Sequence, residues 1–515
     1  METVYIILLI LAALYVPVYL WVRYSPRAER YGLRKYGPAV MLRTKLGMRL
    51  IDRYSVYTRF WRVFGAVSLV LSVILTVTIM YILAVGMLNL PSTLARDGLG
   101  IEYALAIPGL NPLLPVGFGI VGLIVAVGLH ELAHGMQTAA NGMRVDSTGL
   151  LYLVVPIGAF VEPNEEDVGK ASRKVKMHLY AAGIATNFIV GTIAFLIFAV
   201  GLMGGITSPY GDHAAIYGIT SDSDAYIAGI PAGSIITTVD GEDFTLDGGS
   251  AGYTWSPGSI VTVDYITEHS TGTADILWGV YIERITPGSP AAADLEEGWY
   301  ILSMTSSASD VATVFYSAAD FTDFMAGTVP GEVVSIEYLI KGDGEIMYTE
   351  TADITLSSKG SVGFLGISTT TSGMNLRTPD DILGIAADPF HSSEGLLDAA
   401  GSAISYISGP FSGFSPLPES SQWWYDTPFD AGVFWWLCSL FYWIFWLNIL
   451  LGVSNALPAV PFDGGFLFIG GVDRLLEMAG MKDAKKREDI ADRAASYMTM
   501  AVWIMFLFVM MSILF

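Results

Sequence analysis

Val116-Gly-Phe-Gly-Ile-Val-Gly-Leu-Ile-Val-Ala-Val-Gly-Leu-His130-Glu131-Leu-Ala-His134-Gly-Met-Gln-Thr-Ala139 is the stretch that decides how this chain is read. Its first fourteen residues carry no ionisable group, and then His130, Glu131 and His134 fall within five positions. Two histidines four apart lie on one face of a helix, and a carboxylate beside the first can activate a zinc-bound water. The run is long enough to cross the hydrocarbon core, which takes about 20 helical residues. An ionisable side chain at mid-bilayer costs about 2.5 to 3.5 kcal/mol on insertion scales, so three polar groups together demand a functional reason. The bland alternative is a set of satisfied polar residues on a bundle-facing helix. The sharper reading is a hydrolytic metal site inside a membrane.

Composition sets the frame for that reading. The 515 residues are 53% apolar and 15% charged, with a mean hydropathy of +0.52, which places the chain among polytopic membrane proteins with room for a soluble domain. A net charge of −22 argues against nucleic acid as a partner, because phosphate neutralisation needs a Lys/Arg-rich surface. Cys438 is the single cysteine, so an intrachain disulfide and a Cys-rich zinc site are both excluded. Any metal must use histidine and carboxylate.

Six apolar runs read as spans, near Thr3 to Val22, Val63 to Leu88, Val116 to Ala139, Ala181 to Met203, Ala431 to Leu457 and Tyr497 to Phe515. The first lacks a basic leader and its positive charge follows the apolar run, so it is expected to stay as an anchor. Eleven Lys/Arg lie between Arg23 and Arg62, four between Lys170 and Lys176, and six between Arg474 and Arg493. Basic short loops face the cytoplasm, which puts both termini and the segment from Gly204 to Asp430 outside. That segment holds about thirty acidic residues against four basic ones, a surface suited to a high-salt exterior where mutual repulsion is screened; an ordinary acidic secreted domain is the alternative.

The chain therefore divides into a transmembrane part over residues 1–203, a β-rich extracytoplasmic region over 204–376, an irregular connector over 377–430, and a C-terminal transmembrane part over 431–515. Two pieces of the β-rich region look alike: Gly229-Ile-Pro-Ala-Gly-Ser-Ile-Ile-Thr-Thr-Val-Asp-Gly241, and the longer run from Ile285 to Ile301. The first resembles the core of PDZ domains and the second the turn and short helix ahead of it, so one or two PDZ-like modules are expected, with Gly363-Phe-Leu-Gly-Ile-Ser368 as a closing strand. An unrelated β-rich domain is the alternative. The connector is read as returning to the membrane and lying on it through Trp423, Trp424 and Tyr425.

A hydrolytic zinc site keeps three protein ligands and one open position. His130 and His134 supply two. His213, His269 and His391 sit in the ectodomain, and His178 reads as a solvated histidine at the membrane interface. A better third ligand is Asp463, in Asn455-Ala-Leu-Pro-Ala-Val-Pro-Phe-Asp-Gly-Gly465. Pro458 and Pro461 cannot continue a helix, so the chain unwinds at membrane depth, which is tolerated where the backbone is buried or lines a cavity. Gly464 and Gly465 let it turn closely past a neighbour. His130 lies roughly 22 Å along a helix entered near Pro115, toward the same leaflet.

These residues, with Gly183-Ile-Ala-Thr-Asn187 in the fourth span, resemble the site-2 protease family of intramembrane zinc metalloproteases, in its archaeal-like form with an inserted PDZ-like region. Phe462 stands where leucine is usual before Asp-Gly. The resemblance implies Zn2+ held by His130, His134 and Asp463, with Glu131 as general base. It also implies that Asn455 holds substrate or oxyanion, with Asn187 either sharing that role or making an interhelical hydrogen bond. The fold implied is a polytopic α-helical membrane protein with a membrane-embedded β-hairpin over Ser147 to Val161, for which a re-entrant helix or plain connector is the alternative. The implied activity is hydrolysis of a peptide bond in or near the transmembrane helix of a single-span membrane protein, pre-cleaved by another protease. The implied place is the plasma membrane of an archaeon, from a saline habitat on the charge argument. Two other classes compete: a non-catalytic zinc-containing scaffold binding peptides through its PDZ-like domain, and another HExxH membrane enzyme such as a prenyl-protein protease. Glu131 separates the first, since a structural site needs no base, and Asp463-Gly464 the second.

Overall fold

The apolar runs fold as helices in the computed structural model, which describes residues 2–88, 111, 114–153, 155–246, 253–309, 311–341, 347–390, 395–408 and 417–514. Two units separate by contact: Met1–Phe198 with Trp436–Phe515, and Ala199–Trp435. Four helices among the described residues are long and apolar enough to cross a membrane, over Thr58–Val85, Val116–Ala140, Arg173–Gly205 and Ala431–Asn455. The other two runs read as spans lie in the helices Glu2–Tyr24 and Ala484–Leu514.

In the helical unit, Val116–Ala140 and Thr58–Leu88 both pack on Arg173–Leu196. The contact is close because Ala181, Ala182, Gly183 and Ala185 form a fully buried small-residue stretch, the means by which helices associate where lipid is as apolar as leucine. Ser172 starts this helix, its hydroxyl accepting from Val175 N–H. Around it Leu75, Ala181, Ile184, Ala456 and Leu467 form a core.

The basic segment between the first two helices is more than a loop. Leu33–Tyr36 and Ala39–Thr44 are strands, and they join Val145–Leu153 and Val155–Pro163 in a four-stranded antiparallel sheet in that order. Val155–Pro163 is thus an edge strand. Arg43 reaches across the sheet to pair with Glu162.

Arg173 pairs with Asp473 and Glu477 of the helix Asp463–Met478, and Arg487 of the last helix donates to Asp473 at 2.8 Å. Partial burial works against the Asp473 charge, yet the two arginines hold its carboxyl below the usual range. A lowered pKa adds stability above the unfolded value that is lost as pH falls through the folded one. Asp473→Asn is expected to cost about 1 kcal/mol at neutral pH, with the difference from the parental chain shrinking below about pH 4. Thermal unfolding in detergent across pH reads this directly, and a gap that persists in acid contradicts it.

The second unit is a β structure. Its strands run in one continuous antiparallel sheet from Met347–Thr355 through Val333–Lys341, Tyr300–Ser306, Val280–Ile285, Ile367–Thr371, Met374–Arg377, Ala215–Ile219, Ile235–Val239 and Ile260–Ile266 to Thr271–Leu277. Two cores line it. One gathers Ile236, Phe244, Trp255 and Trp278, the other Ile282, Ile301, Phe315 and Ile336, so each look-alike sequence piece contributes to its own core. The hairpin Ile367–Thr371 to Met374–Arg377 gives one strand to each half.

The segment read as an irregular connector is partly helical, over Pro379–Ala387 and Leu396–Ser408. Trp423, Trp424 and Tyr425 do not form a membrane-lying surface. Trp424 is fully buried, both indole N–H groups donate to Gly233 O, at 3.1 and 3.0 Å, and Tyr425 donates to Pro379 O at 2.8 Å. Amphipathic rings belong at an interface only when their polar ends seek water, and here they find protein acceptors.

Candidate metal centre

The motif helix Val116–Ala140 turns His130 and His134 to one side, where their Nε2 atoms stand 3.1 Å apart. Asp463, the first residue of the helix Asp463–Met478, brings Oδ2 to 3.2 Å from each. The result is a nearly equilateral triangle of three ligand atoms from two remote segments, the group among the described residues that could hold a metal ion. Tetrahedral zinc with bonds of about 2.0–2.1 Å separates neighbouring ligand atoms by about 3.3 Å, so the spacing fits. Hydrogen bonding fits too. Asp463 Oδ2 is buried without a hydrogen-bond partner despite the two nitrogens beside it, as lone pairs converging on a common point require.

The imidazoles are held from behind. His134 Nδ1 lies 2.8 Å from Leu179 O, so Nδ1 carries the proton and Nε2 presents its lone pair. His130 Nδ1 lies 3.2 Å from the Asn187 side-chain amide, which is fully buried. Leu179 and Asn187 come from Arg173–Leu196, and between them stands Gly183. A Cβ there would lie 2.6 Å from His130 Cε1 and from His134 Nε2. Glycine is what lets this helix close over the ligands.

Asp463 is delivered by the unwound segment after Asn455. Its chain folds back so tightly that a Cβ on Gly464 would meet Ala456 O and Leu457 O at 2.4 Å, and one on Gly465 would meet Ala459 C at 2.6 Å. The neighbour these glycines pass is the loop's own backbone. Glu131 stands beside the triangle and accepts from Val161 N–H of the edge strand at 2.8 Å. Asn455 ends its helix with Nδ2 bonded to Leu451 O at 3.1 Å, one turn back, rather than to the triangle.

The other histidines stay apart from this group. His178 is not a solvated interfacial residue: it is 5% exposed, against Gly65 of a neighbouring helix, where a missing Cβ leaves space for its ring and for Gln137. His213 and His269 lie in the β unit beside Asp212 and Glu268, and His391 lies outside the described residues.

The model for peptidase family M50 matches residues 118–502, which takes in the motif helix, the Gly183 helix and Asp463. The chain belongs to peptidase family M50. This M50 chain, a member of the site-2 protease family, is an integral membrane protein with an inserted β-rich unit. It is 31% identical over 180 residues to an uncharacterised protein of Methanocaldococcus jannaschii, covering 34% of its own length and 48% of the relative's. The chain thus spans about half the length of the curated relative it matches. The PDZ domain of an SdrC-like protein from Listeria innocua aligns at 27% identity with 18% of the chain and 92% of its own, with a TM-score of 0.15, too low to carry a fold assignment.

Leu179, Gly183 and Val161 are the contributors to the site that reading the sequence did not assign. Gly183 was within reach, being the first residue of the Gly-x-x-x-Asn pattern. The carbonyl of Leu179 and the amide of Val161 are backbone groups, which no residue type announces.

Proposed function

We propose that this chain is an intramembrane zinc endopeptidase that cuts a membrane-anchored protein in or near its transmembrane helix. The observation that carries the reading is the triangle of His130, His134 and Asp463 with a carboxylate beside it. Three protein ligands leave one position open, which a structural site fills with a fourth, and a scaffold has no use for Glu131. When bound, zinc supplies a Lewis acid that polarises the scissile carbonyl and acidifies the attacking water. Glu131 takes the proton from that water and returns it to the leaving amine. Asn187 keeps the ring of His130 in place: Nδ2 lies toward Nδ1 and Oδ1 is buried without a partner, so turning the amide over lets Oδ1 accept from Nδ1–H, and Asn455 reaches the substrate or oxyanion once its bond to Leu451 O is exchanged.

The substrate we propose is a single-span protein already trimmed by another protease, since a transmembrane helix hides its peptide bonds and must unwind before attack. Six spans would put both termini outside and the site toward the cytoplasmic leaflet, with the hairpin Val145–Pro163 embedded beside it. The β unit would act as one or two PDZ-like filters or readers of the trimmed end. Its acidic surface suits the plasma membrane of an archaeon in a saline habitat.

Metal content tests the ligand set. Asp463→Asn is expected to lower zinc stoichiometry and cleavage together, and unchanged zinc by elemental analysis removes Asp463 from the set. Asn187→Ala is expected to weaken zinc about 10- to 100-fold in a chelator competition, the usual cost of losing a partner behind a ligand. Parental affinity there contradicts the role given to Asn187. Mass spectrometry of membranes from cells carrying the parental chain or Glu131→Gln would name the substrate as a protein that accumulates uncut in the variant. Identical profiles count against the peptidase.

A further inference from the structure

The helix Thr58–Leu88 is entered through an elbow, in which Ser55, Val56 and Tyr57 join it to the short helix Met48–Tyr54. Ile51 of the short helix is buried against the motif helix, its Cδ1 2.5 Å from where a Cβ on Gly135 would lie. Trp61 ties the elbow further: its indole N–H donates to Tyr54 O at 2.9 Å, and its carbonyl accepts from the buried Gln137 amide at 2.7 Å. A cavity of 390 Å³ lies here, lined by Tyr54, Tyr57, Phe60, Trp61 and Met136. Met136 stands two residues past the ligand His134, so the motif helix forms one wall. Ligand sites commonly measure about 300–1,000 Å³ and add a few placed polar groups to an apolar lining. This lining is wholly apolar, so an occupant must keep its polar part outside.

Charge gathers just outside. Residues 49–62 hold Arg49, Arg53, Arg59 and Arg62 against Asp52, all five exposed. Arg53 Cζ stands 5.7 Å from the centroid of the Tyr54 ring, which puts a guanidinium on the cavity's rim. Arg59 and Arg62 flank Phe60 and Trp61 at the start of the helix. Among the described residues none of the four arginines is in an ion pair. Tyr57 and Phe60 are exposed among them, and exposed aromatic rings beside basic residues at the end of a span belong at a membrane boundary.

We propose that this elbow binds an anionic membrane lipid, one hydrocarbon chain lying in the cavity and the phosphate held at its rim by Arg53 and Arg59. A planar guanidinium donates to two phosphate oxygens at once. A free phosphate ion would leave the cavity unfilled and a neutral lipid would leave the arginines unpaired, so an anionic amphiphile answers both. The site goes beyond the peptidase reading and does not depend on it.

Native mass spectrometry tests this on the full chain, delipidated in detergent micelles and then given phosphatidylglycerol or phosphatidylcholine. One phosphatidylglycerol per chain is expected to bind at least tenfold more tightly than phosphatidylcholine. At about fivefold per basic residue, the double variant Arg53→Gln/Arg59→Gln should lose about 30-fold for phosphatidylglycerol and nothing for phosphatidylcholine. Arg27→Gln/Arg34→Gln removes the same charge elsewhere in the basic segment and should stay within threefold of parental. Phe60→Ser, at an exposed wall position, should weaken both lipids at least fivefold. A phosphatidylglycerol with a photoreactive chain is expected to label Tyr54, Tyr57, Phe60, Trp61 or Met136. Equal affinity for the two lipids overturns the site, as does an equal loss in the two double variants or parental binding in Phe60→Ser. Label spread evenly along the spans would mark a surrounding lipid shell and also overturns it. So does displacement by millimolar inorganic phosphate alone, which would mean a charge site without a chain.

Discussion

Glu131→Gln is expected to lower kcat for cleavage of a single-span substrate by about 10³-fold, within the range for removing a general base, while leaving zinc stoichiometry unchanged. The argument rests on what the substitution keeps. Glutamine has the same length and can still accept from Val161 N–H through its amide oxygen, so the contact at 2.8 Å survives. The three ligand atoms are untouched. Only the capacity to take a proton is lost. Cleavage at the parental rate would remove Glu131 from the chemistry, and loss of zinc would mean the carboxylate supports the metal instead. A scaffold that uses zinc structurally would tolerate the change.

Gly183→Ala is expected to have the second largest effect, weakening zinc by about 100-fold and lowering cleavage in step with it. The added methyl would lie 2.6 Å from one ligand nitrogen and one ligand ring carbon, and 2.7 Å from the Nε2 of His130. Rings held from behind by Leu179 O and Asn187 have nowhere to retreat. Alanine is about 1 kcal/mol better than glycine inside a helix, so local helix stability moves the other way. The signature is a chain that stays folded by circular dichroism yet fails to retain zinc. Normal zinc affinity in Gly183→Ala would show that the two helices separate easily, and the close packing would then have no part in shaping the site.

Much of this was legible before any coordinates. Four-residue spacing of His130 and His134 is a local property of a helix, and the apolar run around them is a local property of composition. Asp463 was reachable for a related reason, since Pro458 and Pro461 mark a break at membrane depth and a carboxylate follows it. The β character of the inserted unit showed in its turn residues and short strands. The errors share a physical cause. A place beside basic residues suggests a solvated His178, and ring type suggests a membrane-lying Trp423 to Tyr425. Burial depends on what packs opposite, which for His178 is Gly65 and for the tryptophans is Gly233 O.

Short windows of sequence are enough to settle the membrane class, the helix that carries His130, Glu131 and His134, and the broken segment that carries Asp463, because these follow from periodicity, hydropathy and residue chemistry. Tertiary structure alone decided that the basic segment after the first helix completes a sheet with the hairpin. It also decided that Gly183 closes over the histidines and that Val161 N–H reaches the base. Strand pairing and close helix approach are agreements between distant segments. Each half is compatible with many partners, and only the folded chain selects one.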